Sequence, residues 1–212
     1  MRLLRRIKEL ISRLDKTEKL DNTFVFPYPT DKELKRKQLI DNLQKGLLLE
    51  NKGILVPWLT PFNKVDSFKE QRSDSGDRTE WYLGKQTILD GYVGGLEIMM
   101  WMNLPWTNPL TEIKVDLSYD YQGMQNFHEL KDHLIDRFGQ PHKSDIHKWG
   151  DFDLGLIQWQ FDRIKMDLVG FEHFAAKYSF HIGLIKDRNE EYHLEAIERM
   201  KANGLTEEEL GK

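Results

Sequence analysis

Apolar and polar residues alternate along the middle of the chain with the period of a β-strand. Ile113, Val115, Leu117, Tyr119 and Tyr121 are interleaved with Lys114, Asp116, Ser118 and Asp120. Strict period two over that length predicts a strand with one face buried and the other wet. Leu96–Met102 carries the same signal, and Gly91, Gly94 and Gly95 before it suggest a tight turn or bulge. Three more alternating segments follow, at 156–161, 164–168 and 178–184, the first two separated by a turn at Asp162-Arg163. A short apolar strand at 54–56 is stopped by Pro57.

Helical periodicity marks four other segments. Leu3, Leu4, Ile7, Leu10, Ile11 and Leu14 share one face of an amino-terminal helix, opposite Arg2, Arg5, Arg6 and Arg13. Thr30 and Glu33 form a capping box ahead of a helix carrying Leu39, Ile40, Leu43 and Leu47. Asn126 and Glu129 open a third helix. Its stripe is Phe127, Leu130, Leu134 and Phe138, and Gly139 and Pro141 stop it. A fourth spans about 189–202. Residues 66–80 are the most polar window and read as a surface loop.

Short connections between strands favour antiparallel pairing, and the lack of strand–helix alternation argues against a dinucleotide-type parallel sheet. The expectation is one α+β domain over residues 1–212, with a mainly antiparallel sheet of about six to seven strands. Helices pack on one face. Residues 1–30 supply an amino-terminal helix and connector, and 186–212 a helical tail.

Composition narrows the function classes. The formal net charge of −4 argues against nucleic acid as a partner. Residues 1–50 hold 12 Lys and Arg against 8 Asp and Glu, too mild an excess to name a ligand. The absence of cysteine removes disulfides, thiolate metal sites, a cysteine nucleophile and lipoprotein acylation. The first ten residues lack an uninterrupted apolar core of the secretory type, and no run is long enough to span a bilayer. A cytoplasmic protein is expected, with a peripheral membrane contact through residues 2–14 as a minor alternative.

Catalytic signatures do not emerge. His128 and His133 flank Glu129 in a pattern close to the zinc-protease helix, but they are five residues apart. On a helix that separates them by about 140°, so they cannot grip one ion. His142 and His147 lie in an acidic segment without calcium-loop spacing. No metal and no cofactor are expected. Trp58, Trp106 and Trp149 sit beside Pro or Gly and read as plugs of the core rim.

The wet sheet face is the remaining candidate. Its registers bring Lys114, Asp116, Ser118, Gln158, Gln160, Lys165, Asp167, Ser179 and His181 together, with Trp101 at the margin. Trp101, Gln158, Gln160 and His181 are the expected binding residues. The pattern favours a non-catalytic protein-binding module of neutralising or adaptor type. The alternative is a small-molecule-binding or hydrolytic domain built on the same face.

Overall fold

The computed structural model describes residues 24–65, 67–75, 78–101 and 109–185. The helices expected at 3–14 and 189–202, and Trp106, lie outside the described residues.

Helix α1 (Lys32–Lys45) starts one residue later than the Thr30 box implies. The Asp31 carboxylate accepts the Leu34 amide at 2.8 Å and caps it. Gly46 ends it and opens a hairpin, β1 (Gly46–Leu49) with β2 (Ile54–Pro57). A short turn of helix, α2 (Phe62–Val65), follows. Trp58 is 1% exposed and donates its indole N–H to Leu43 O at 2.7 Å, so it closes the core beneath α1.

Among the described residues the main sheet has eight antiparallel strands. It contains β3 (Gln71–Ser75), β4 (Arg78–Ile88), β5 (Tyr92–Trp101), β6 (Glu112–Tyr119), β7 (Lys143–Trp149), β8 (Phe152–Phe161), β9 (Ile164–Glu172) and β10 (Ala176–Leu184). Their spatial order is β3-β4-β5-β6-β10-β9-β8-β7. Two four-strand meanders therefore meet at the β6–β10 pair. Helix α3 (Asp120–Phe138) carries the chain from the middle of the sheet to its far edge.

The expectation of six to seven strands is corrected to eight, with a separate two-stranded hairpin. The additional strands lack an apolar signature. Strand β7 is exposed at all seven positions, as a charged edge strand should be. The polar window read as a loop contributes β3 and the start of β4, held by five paired positions and by Arg72 lying 6.0 Å from the Trp81 ring centre. The turn before β5 is Leu89–Gly91, all three at positive φ, so Gly91 lies in a tight turn as expected, whereas Gly94 and Gly95 lie within the strand. The 162–163 turn is present as read.

One face of the sheet is apolar. Trp81, Leu83, Ile98, Ile113, Val115, Trp159, Met166, Leu168, Phe180 and Ile182 are each 1% exposed or less. Phe127, Leu130, Leu134 and Phe138 of α3 belong to the same buried cluster, together with Leu39 and Leu43 of α1 and the β1–β2 hairpin. Helix α3 begins six residues before Asn126. Asn126 instead donates from its side chain to Leu117 O at 2.9 Å, tying the helix to the end of β6. At the other end the Trp159 indole donates to Gly139 O at 2.8 Å. Helices thus cover the apolar face of an antiparallel sheet, an α+β arrangement.

Candidate functional site: the polar face of the sheet

Directly paired residues of an antiparallel sheet project to the same side. Following the registers from β3 to β7 links Gln71, Tyr82, Glu97, Lys114, His181, Asp167, Gln158 and Lys143 in one row. Every member is polar, and the row crosses all eight strands. The neighbouring row joins Asp116, Ser179, Val169, Leu156 and Asp145.

Short contacts hold these side chains in place. Lys114 Nζ meets Glu97 Oε2 at 3.0 Å, both partly exposed. Asp167 receives Gln158 Nε2 on one oxygen and Lys165 Nζ on the other, each at 2.6 Å. Near the β3 edge, Tyr82 donates its hydroxyl to Glu80 at 2.6 Å, and this bond to a carboxylate pushes the phenol pKa up to about 12.

At the centre stands a three-residue chain. Ser179 and His181 are two apart on β10, so they share a face, and Ser179 Oγ lies 3.0 Å from His181 Nε2. His181 Nδ1 lies 3.0 Å from Glu112 Oε1 on β6. Glu112 is paired with Gly183. A Cβ at Gly183 would overlap the Thr111 carbonyl oxygen and stand 3.0 Å from Glu112 Cα, so glycine lets the start of β6, and Glu112 with it, lie this close to β10.

The order Ser, His, Glu matches a nucleophilic relay in composition. Two features oppose that use. Ser179 is 2% exposed. It is also paired on both sides, with Asp116 on β6 and Val169 on β9. Its surroundings are mid-sheet ladder, in which amide N–H groups are committed to neighbouring strands and do not form the donor pair that receives an oxyanion. The chain fixes the imidazole plane, whichever chemistry the face performs.

Of the four residues expected to bind, Gln158 and His181 fall in the same cross-sheet row, with Asp167 between them. Gln160 lies two residues along β8 opposite Lys165, is exposed, and donates its backbone N–H to His142 Nδ1 at 3.0 Å. Trp101 ends β5 opposite Arg78, four residues beyond Glu97 in the row. At strand rise this is about 13 Å from the row, so Trp101 is separate from the other three. Glu112 stands one position before Ile113, outside the apolar–polar alternation that marks the strand in the sequence. Extended one step back, that alternation puts it in phase with Lys114 and Asp116.

His128 and His133 diverge on α3. His128 Nε2 pairs with Asp153 at 3.1 Å, and His133 Nε2 lies 2.7 Å from Leu89 O. Among the described residues, no three His, Asp or Glu side chains are grouped to hold a metal ion. No described helix is long and apolar enough to cross a membrane. Comparison with protein-family models, with curated proteins and with solved structures gives no match.

Proposed function

We propose that the polar face of the eight-stranded sheet is a recognition surface for another protein, and that the chain acts by binding rather than by catalysis. The observation that carries this reading is the unbroken polar row from Gln71 to Lys143, on the side of the sheet opposite the apolar cluster. Seven inter-strand spacings give a width of about 34 Å, and eight residues of strand give about 26 Å. The resulting area, about 900 Å², is close to the ~800 Å² that one partner contributes to a stable interface.

Its chemistry suits specificity. Fixed charges of both signs alternate, and a partner with a different pattern meets like charge or an unpaired polar group. Tyr119, Phe171 and Met99 are 49%, 40% and 48% exposed, and supply apolar contact beside the charges. Tyr119, Lys177 and Phe171 are paired in sequence across β6, β10 and β9, with Lys177 Nζ 5.0 Å from the Tyr119 ring centre.

The test is retention of a partner from cells that express the protein, by the wild type and by a Lys114→Glu, Gln160→Arg, His181→Ala variant shown to be folded. A partner held by the first and released by the second supports the reading, and equal retention by both defeats it. A second reading, ester hydrolysis, is favoured by the Ser179–His181–Glu112 chain alone. It requires turnover of an activated ester that disappears in Ser179→Ala.

A further inference from the structure

A second polar site lies away from the sheet's polar face, where the first turn of α1 approaches the last turn of α3. Thr30, Lys32, Lys35, Arg36, Asp136 and Arg137 line a half-open cleft of about 200 Å³. Four cations face one lining carboxylate. Asp90 anchors two of them, meeting Lys35 Nζ at 3.2 Å and Arg137 Nε at 2.5 Å. Asp136 contacts Arg137 and holds Lys32 at 2.9 Å, and the Lys32 pair is well exposed.

These bonds leave donors over. An ammonium has three N–H groups and a guanidinium five. Arg36 has no carboxylate partner among the described residues, and its guanidinium lies against Gly139, where an added Cβ would come within 2.9 Å. The cations also gather at the start of α1, the end at which the helix dipole disfavours positive charge and favours an anion. Asp90 and Asp136 offset part of that cost, and an anion in the cleft would offset more. A volume of about 200 Å³ is below the usual ~300–1,000 Å³ of a site for a drug-sized ligand, but accommodates one or two phosphate groups.

We propose that this cleft binds a small phosphate-type anion, with Arg36, Lys35 and Arg137 as its donors and the Lys32–Asp136 pair at its rim. Inorganic pyrophosphate, titrated calorimetrically into the full chain at low ionic strength in a phosphate-free buffer, tests it. Saturable binding of one anion per chain is expected, with orthophosphate weaker. Arg36→Ala should weaken it at least tenfold, since Arg36 is exposed and the variant keeps the core. Asp136→Asn should tighten binding several-fold by removing the competing carboxylate. Lys177→Ala, on the polar sheet face, should leave binding unchanged. Absence of saturable binding overturns the proposal. So does an Arg36→Ala affinity equal to wild type, or equal weakening by Arg36→Ala and Lys177→Ala.

Discussion

Gly123, in the first turn of α3, sets two physical effects against each other. Replacing a helical glycine by alanine gains about 1 kcal/mol from backbone entropy when the site is open. At Gly123 it is closed. An added Cβ would lie 2.6 Å from Ser118 O and 2.6 Å from Tyr178 Cδ2, where ordinary contact begins at 3.4 Å. Ser118 O belongs to β6, and Tyr178 is a fully buried ring packed on Phe127. Neither neighbour is the free end of a flexible side chain. Relieving the overlap requires α3 to lift by most of an ångström, and overpacking of this kind costs about 1–3 kcal/mol. The steric cost exceeds the helix gain, so Gly123→Ala should destabilise by about 1 kcal/mol net, a fall in melting temperature of about 2–4 °C for a chain of this size. Gly95→Ala is the control. A Cβ there meets nothing within 4 Å, and the change should stay within about 0.5 kcal/mol. Urea denaturation of the three proteins with unchanged m decides the matter. A Gly123→Ala variant as stable as wild type, or more so, refutes the close packing of α3 against β6 and β10.

Three other outcomes follow from the packing and the hydrogen bonds. Leu134 is fully buried beneath α3, so Leu134→Ala should cost about 2–5 kcal/mol, measured by the same denaturation. Unchanged stability would remove the helix from the core. In the neutral form His181 should carry its proton on Nδ1, donated to Glu112, and accept the Ser179 hydroxyl at Nε2; ring ¹⁵N shifts read the tautomer, which Glu112→Gln should disturb. Burial, the largest cause, holds the His133 imidazole below its ordinary pKa. The unfolded chain therefore binds that proton first, and stability is present above about pH 6.5 and declines as pH falls through it. The difference in melting temperature between pH 7.5 and 5.5 should shrink in His133→Gln, and an unaltered difference would rule out this contribution.

The elements legible in the sequence are those whose side chains divide cleanly between core and solvent. The stripe Phe127, Leu130, Leu134 and Phe138 is buried as read, and the alternation in β6, β8, β9 and β10 assigns Lys114, Gln158, Asp167 and His181 to one face. Strands β3 and β7 escaped because an edge strand is selected by backbone pairing, which leaves no apolar period to count. The early start of α3 escaped for a related reason. Asp120 through Asn126 is mostly polar, and Asn126, a good cap by residue type, spends its side chain on Leu117 O. The cleft at Arg36 depends on two helices about a hundred residues apart in sequence. Of its lining, only the basic cluster Lys32, Lys35 and Arg36 at the start of α1 is local in the sequence.

The meeting of the two meanders at β6 and β10 dictates the order in which the molecule can be completed. The strands of each half pair with sequence neighbours, so each meander can form as soon as it leaves the ribosome. The junction joins Glu112–Tyr119 to Ala176–Leu184, and nothing can close it until the last strand has been made. Through the synthesis of α3 and three further strands, β6 presents an unpaired backbone edge beside a half-covered apolar face. Such an edge is a template for any extended chain nearby. Strand β10 is therefore the clasp of the sheet, and a nascent chain stalled before residue 176 keeps that edge open.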